Sequence, residues 1–293
     1  MEYKEKFIDY LQYEKKYSEY TIKFYSRDLD EFTSFLTQEE IEKVDNKTLK
    51  NYMYFLSKKG NTRRTIARKL STLKSYYKYL RKKKISDEDP FALVEKQHLS
   101  KRLPEVLTID EIVELMEINI TDKEHLNNRN YLIVRLLFAT GVRVSELTNM
   151  KIEHFDFNES YLKVRGKGNK DRIVFFDEDT KNCVLGYIKN DWPNFVKEET
   201  SYLFLNKFGK KISERSIELI LQEKGRNMKS PKDIYPHMIR HTYASTLLES
   251  GADLRIIQEL LGHTSLQATQ VYTSLSNQKL QKNYLDSHPH SKK

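Results

Sequence analysis

At 293 residues the chain is long enough for two domains or one large one. A formal net charge of +9, with 32% charged and 38% hydrophobic residues, excludes a disordered chain on one side and a membrane protein on the other, and no apolar run approaches a span. The charged opening MEYKEKFIDYLQYEKK shows no signal peptide and the single cysteine, Cys183, rules out an internal disulfide, so an intracellular protein with an inert thiol and a polyanionic partner is expected.

Residues 3 to 14 carry Phe7, Tyr10 and Leu11 and predict a short amphipathic helix. A second is expected from after Ser18 to about Leu36, with Tyr20, Ile22, Tyr25, Leu29, Phe32 and Phe35 near the helical period. A third, capped by Asp45 or Asn46, covers Leu49, Tyr52, Met53 and Leu56 and stops at Gly60. The fourth follows Thr62, with Ile66, Leu70, Leu73, Tyr77 and Leu80 as its apolar stripe. No acidic residue occurs from Lys58 to Lys84, whereas a solvated helix face normally intersperses glutamate. This favours phosphate contact, with Arg63, Arg64, Arg68, Lys69 and Lys74 as candidates.

The helical pattern ends near Lys84, and Pro90 and Pro104 bracket a stretch of weak periodicity. The domains are therefore set at 1–95 and 105–293, with a linker at 96–104. Lys101 and Arg102 within it either track phosphates or belong to a soluble tether.

Thr108, followed by Ile109, Asp110 and Glu111, opens the second domain as a helix N-cap. Tyr131 to Ala139 is apolar nearly all round and predicts a buried helix stopped by Gly141. Arg143 stands at the start of the next helix, which reaches about Met150. It is either a salt-bridge partner for Glu146 or an anion ligand. Tyr161–Arg165 and Arg172–Phe176 predict a hairpin around GKGNKD, with Lys167 and Lys170 at its tip. A turn lysine is usually solvated; flanked by Gly166 and Gly168, Lys167 fits a phosphate-contacting loop equally well, although the P-loop order is absent. A helix is expected over Thr180 to Phe195, a buried short strand or turn at Tyr202 to Leu205, and a helix from Ser213.

The stretch from His237 to Tyr272, HMIRHTYASTLLESGADLRIIQELLGHTSLQATQVY, predicts three short helices stopped by Gly251 and Gly262 and capped by Asp253 and Ser265. His237 and Arg240 share a face at i, i+3, His263 follows the Gly262 stop, and Tyr272 lies on the third helix. Singly, each has a plain structural explanation: a tyrosine near Val271 and Leu275 is by default a core aromatic, and a lone histidine is usually a surface or satisfied one. His237 and His241 lack the intervening glutamate of a zinc H-E-x-x-H motif, so no metal is expected. In the last stretch, Leu280, Tyr284 and Leu285 form an apolar edge that docks on another subunit or folds back.

Jointly, ATGVRVSEL, GKGNKDR, HMIRH, LGHTSL and TQVYT, in this order, resemble the tyrosine recombinase family and its bacterial Xer branch. The resemblance covers nearly the whole chain. It implies a mainly α fold with a small antiparallel sheet, a four-helix SAM-like core-binding domain and an α+β catalytic domain. It also implies a catalytic hexad of Arg143, Lys167, His237, Arg240, His263 and Tyr272. Met238 and Ser274 depart from the commoner family residues without touching the hexad.

A phenol of pKa ~10 must lose its proton to attack phosphorus. Two guanidiniums hold the non-bridging oxygens in a fixed fork as charge grows. The resemblance gives Lys167 the leaving 5′ oxygen. His237 suits proton transfer at the tyrosine, and His263 donation to a phosphate oxygen. Because the bond is stored as a 3′-phosphotyrosyl link, no cofactor is expected. The implied partners are a duplex recombination site, protomers in a tetramer on two sites with or without a paralogous recombinase, and a DNA translocase. A cytoplasmic, nucleoid-associated protein that resolves chromosome dimers fits better than a mobile-element integrase, since no arm-binding module precedes the helical domain. A non-catalytic DNA-binding protein on the same scaffold is the remaining alternative, against which the intact hexad argues.

Overall fold

The computed structural model describes residues 2–36, 41–92, 105–166 and 171–262. The chain folds as two compact units, Met1–Lys101 and Arg102–Lys293. The linker expected at 96–104 lies outside the described residues.

In the first unit, α1 (Glu2–Asp9) continues into a π-helical turn at Tyr10–Glu14, followed by α2 (Glu19–Leu36), α3 (Asn46–Lys58) and α4 (Arg63–Lys82). The side chains of Asp45 and Thr62 accept from the amides of Thr48 and Thr65 and so set where α3 and α4 begin, which decides the α3 cap for Asp45. Phe7, Leu29, Phe32, Leu49, Tyr52, Tyr76, Tyr77 and Leu80 close the core with no solvent exposure. Aromatic rings carry much of it: Phe7 meets the edge of Tyr76 at 5.2 Å, and Phe32 that of Tyr52 at 4.7 Å.

The second unit begins with α5 (Ile109–Glu117), held by a complete capping box between Thr108 and Glu111. The buried helix is longer than its apolar run: α6 spans Glu124–Thr140. Its first turns are polar, and Arg129 and Arg135 are buried only because Arg129 finds the Leu205 carbonyl and Arg135 finds Asp177 and Thr180. Gly141, in the left-handed conformation at φ 59°, ends α6. Next come α7 (Val144–Thr148) and a three-stranded antiparallel sheet of β1 (Phe155–Asp156), β2 (Tyr161–Arg165) and β3 (Asp171–Phe175), in the order β1-β2-β3. β1 is too short to leave a periodic signal and was not expected. In the β2–β3 register Leu162 faces Val174 and Val164 faces Arg172.

The helix expected over 180–195 is α8 (Glu178–Asn190), capped by Asp177, then a separate 3-10 turn at Trp192–Asn194, because Pro193 has no amide to continue the ladder. Buried Leu203, Phe204 and Leu205 follow, flanked by single bridges from Tyr202 to Lys151 and Leu205 to Lys211. The unit continues with α9 (Glu214–Arg226), α10 (Pro236–Glu249) and α11 (Leu254–Leu261). α6 is the central post, with α5, α7, α8, α9 and α10 packed around it. The buried Lys224 amine on α9 donates to the carbonyls of Leu115, Met116 and Ile118, which stitches α9 to the end of α5; burial pushes its pKa down to about 8. Among the described residues no helix is long and apolar enough to cross a membrane.

Candidate active site

Three arginines from three separate elements meet at the C-terminus of α11. The last carbonyls of a helix have no intrahelical donor and sit at the negative end of its dipole. Here they are taken in succession: Leu260 O accepts from Arg172 Nε at 3.0 Å, Leu261 O from Arg240 Nη2 at 2.5 Å, and Gly262 O from Arg143 Nη2 at 3.2 Å. Gly262 turns left-handed at φ 64° immediately before His263. An added Cβ there would come within 3.1 Å of Arg172 Cδ.

Glu146 organises the other side of the cluster. Its carboxylate accepts from Arg143 Nη1 at 2.9 Å and the Arg143 amide at 2.7 Å, and from both terminal nitrogens of Arg172 at 2.7 and 2.9 Å. Burial alone would raise its pKa; the Arg172 and Arg143 guanidiniums and the Arg143 amide overcome that and hold it below the usual glutamate value. Of the two roles left open for Arg143, the ion pair with Glu146 is thus made. The side chain nevertheless keeps 28% of its surface exposed.

Arg240 lies on α10 and is 7% exposed. It donates to the Gly141 carbonyl as well as to Leu261. Gly141 is required twice over, by its left-handed φ and because a Cβ would run into the ring of buried Tyr243. Burial, with Arg143 and Arg172 nearby, pushes the Arg240 pKa down to about 10, so it remains charged at neutral pH. One turn earlier on α10, His237 is exposed to solvent, yet partial desolvation and then the charges of Arg240, His241 and Arg143 lower its pKa below the ordinary histidine value. The imidazole is therefore neutral at pH 7.

The structure thus brings together Arg143, His237 and Arg240. Lys167, His263 and Tyr272 lie outside the described residues, as do Lys101, Arg102 and Lys170 and the edge of Leu280, Tyr284 and Leu285. Sequence reasoning named Glu146 only as an alternative partner and missed Arg172. Its signal was legible: Arg172 shares a strand face with Val174, and a charged residue on the buried face of a strand implies a buried partner.

On α4 the acid-free run is less free than the sequence implies. Asp28 of α2, 2% exposed, accepts both terminal nitrogens of Arg68, and Lys69 is buried against Glu31. Lys69 is therefore a packing residue, correcting its assignment to phosphate contact: the missing acids come from the neighbouring helix. Arg68 is divided, with its guanidinium over the Phe24 ring at 5.5 Å and 44% of its side chain exposed. Arg63, Arg64 and Lys74 are exposed and form no ion pair with another described residue. At 100° per residue Arg64, Arg68, Lys74, Lys78 and Lys82 share one face with the small residues Ala67, Ser71 and Ser75.

Comparison with known proteins agrees with this architecture. Residues 105–279 match the phage integrase family, and residues 5–84 match the phage integrase N-terminal SAM-like domain. The chain is 39% identical over 289 residues to a tyrosine recombinase XerC of Anoxybacillus flavithermus, covering 97% of this chain and 96% of that protein. It is 38% identical over 294 residues to a XerC of Staphylococcus epidermidis, covering 99% and 98%. Among solved structures, XerA recombinase is 30% identical with a TM-score of 0.50, covering 97% of this chain and 98% of that one. XerH recombinase bound to its difH substrate shares the fold at a TM-score of 0.67 and 20% identity, covering 95% and 81%.

Proposed function

From the membership of this chain in the phage integrase family, in the Xer branch of the tyrosine recombinases, we propose that it resolves chromosome dimers, acting in the cytoplasm on a duplex site in the nucleoid. The protein is a site-specific DNA recombinase. In the proposed reaction four protomers, with or without a paralogous recombinase, hold two sites and exchange strands in two pairs through a Holliday junction. A DNA translocase would bring the sites together.

The observation that carries the reading is the convergence of Arg143 and Arg240 at the end of α11, with His237 one turn before Arg240 on α10. Arg143 and Arg240 hold the non-bridging oxygens of the scissile phosphate, and the fixed guanidiniums meet the growing negative charge without having to reorganise. Tyr272 attacks phosphorus, its proton passing to His237. The tyrosyl oxygen bonds to the 3′ phosphate as the P–O5′ bond breaks, and Lys167 protonates the departing 5′ oxygen. His263 donates to a phosphate oxygen. Arg63, Arg64, Lys74 and the exposed part of Arg68 contact phosphates along the duplex, with Lys101, Arg102 and Lys170 in the same role.

Tyr272→Phe tests the chemistry. It removes the nucleophile and leaves every cation in place, so DNA binding persists while covalent complex on a nicked suicide duplex disappears. Covalent trapping that survives the substitution would rule out Tyr272. Sequencing the DNA immunoprecipitated with that variant tests the biological role: one enriched chromosomal site supports dimer resolution, whereas enrichment at the ends of a mobile element would replace it with integration.

A further inference from the structure

Arg172 has no part in the reaction as read above, yet its side chain makes three hydrogen bonds to the cluster where those of Arg143 and Arg240 make two each. Its two terminal nitrogens take both oxygens of Glu146, at 2.7 and 2.9 Å, and its Nε takes Leu260 O at 3.0 Å. We propose that Arg172 is a positioning residue that sets the charge and aim of Arg143 through Glu146 and fixes the end of α11 where the chain enters His263. The inference rests on the assignment of Arg143 and Arg240 to the scissile phosphate.

Charge gives the first argument. Arg143, Arg172 and Arg240 against Glu146 leave the cluster at a net +2, from three positive groups and one negative. That suits a phosphodiester whose charge grows from one towards two as the fifth oxygen bonds. Without Arg172 the net falls to +1, and the whole carboxylate charge bears on Arg143. Glu146 has only 4% of its side chain exposed and accepts four hydrogen bonds, two of them from Arg172. Losing those two would draw Arg143 inward, away from its exposed side.

Placement gives the second argument. In the sequence β3 begins four residues after Lys167, α7 begins directly after Arg143, and α11 ends two residues before His263. Arg172 is the side chain bonded to all three neighbourhoods: it belongs to β3, grips Glu146 of α7 and caps α11. Lysine would keep the charge and lose the planar fork that makes these bonds simultaneous.

The test uses full-length Arg172→Lys on a suicide duplex carrying the site recovered with Tyr272→Phe, with either a phosphate or a neutral methylphosphonate at the scissile position. The neutral group removes the charge that the arginines must balance. Arg172→Lys should bind the duplex within about twofold of wild type, cleave the phosphate about 10²-fold more slowly, and lose roughly tenfold or less on the methylphosphonate. Arg143→Ala, run in parallel, should show the same preference. Wild-type cleavage by Arg172→Lys, or equal losses on both substrates while Arg143→Ala discriminates, overturns the positioning role. Equal losses in Arg143→Ala strike the phosphate assignment itself and the inference with it. If Arg172→Lys does not fold, Arg172→Gln, which lowers the cluster to a net +1 and leaves the Glu146 carboxylate bearing on Arg143 alone, is read against the same criteria.

Discussion

Among the described residues positive charge concentrates at the end of α11 and along α4, and the two places are built in opposite ways. At the end of α11 each guanidinium spends donors on protein carbonyls or on Glu146, and Arg240 is 7% exposed. Along α4 the outer cations, Arg63, Arg64 and Lys74, are exposed and form no ion pair with a described residue, while the inner ones, Arg68 and Lys69, are tied to Asp28 and Glu31 of α2. Fixed charges suit a transition state, because their orientation costs nothing at the moment of reaction. Mobile ones suit a polyanion whose counterions they displace, because the gain is insensitive to exact geometry.

That contrast breaks most visibly at Arg240. Arg240→Ala should lower the cleavage rate on a suicide duplex by about 10²- to 10³-fold, the usual cost of removing a preorganised donor, while the slope of log binding constant against log salt stays unchanged. A binding loss matching the rate loss would make Arg240 one more phosphate contact and erase the distinction. It also leaves the carbonyls of Gly141 and Leu261 without that donor, so some loss of thermal stability should accompany the rate effect.

The next test separates the two layers of α4. Arg68→Ala strips the nearly buried Asp28 of its forked partner, leaving Thr72 Oγ1 at 2.9 Å and Lys69 at 3.9 Å. Discounted for the 44% exposure of Arg68, the expected cost is about 1–2 kcal/mol of unfolding free energy. Lys74→Ala should leave stability within about 0.5 kcal/mol and reduce the salt slope by about 0.9. Urea melts and binding isotherms at several salt concentrations check both; equal stability losses would mean that α4 has no free outer layer.

How far these features were legible in the sequence follows from the same physics. The helices of the first unit were readable because Asp45 and Thr62 act locally, as caps whose partners lie three residues on. The start of α6 was not, because Arg129 looks like a surface residue until the Leu205 carbonyl comes near in the fold. The same limit governed the basic run, whose compensating acids are on α2. At the candidate site the residue types and their order carried the resemblance. What holds Arg143 and Arg240 there, backbone carbonyls at the end of α11, has no side-chain signature and appears only once α11 is folded. Arg172 stands between these cases: strand alternation puts it on the face of Val174, but β-propensity alone does not say which face of RIVFF is buried.

The smallest expected effect concerns pH and sharpens what a fixed cluster does to its neighbour. Protonating His237 would add a positive charge to a partly desolvated site already facing Arg240, His241 and Arg143, so its pKa in the folded chain is lowered. The neutral form consequently persists to a lower pH than for a free imidazole, whose pKa is ~6.5. Since kcat/KM reports groups of the free enzyme, its acid limb should fall below that value, with activity lost only as pH drops through the lowered pKa. Stability follows the same sign: below the ordinary pKa the unfolded chain holds a proton that the folded chain resists, so acid favours unfolding by that difference. His241→Gln removes one repelling neighbour on the exposed side of α10 and leaves both arginines. The limb should then move up by a fraction of a pH unit towards the ordinary value. A limb that stays fixed would mean that desolvation and the arginines alone set the state of His237, and that the charge field on it comes entirely from the preorganised cluster.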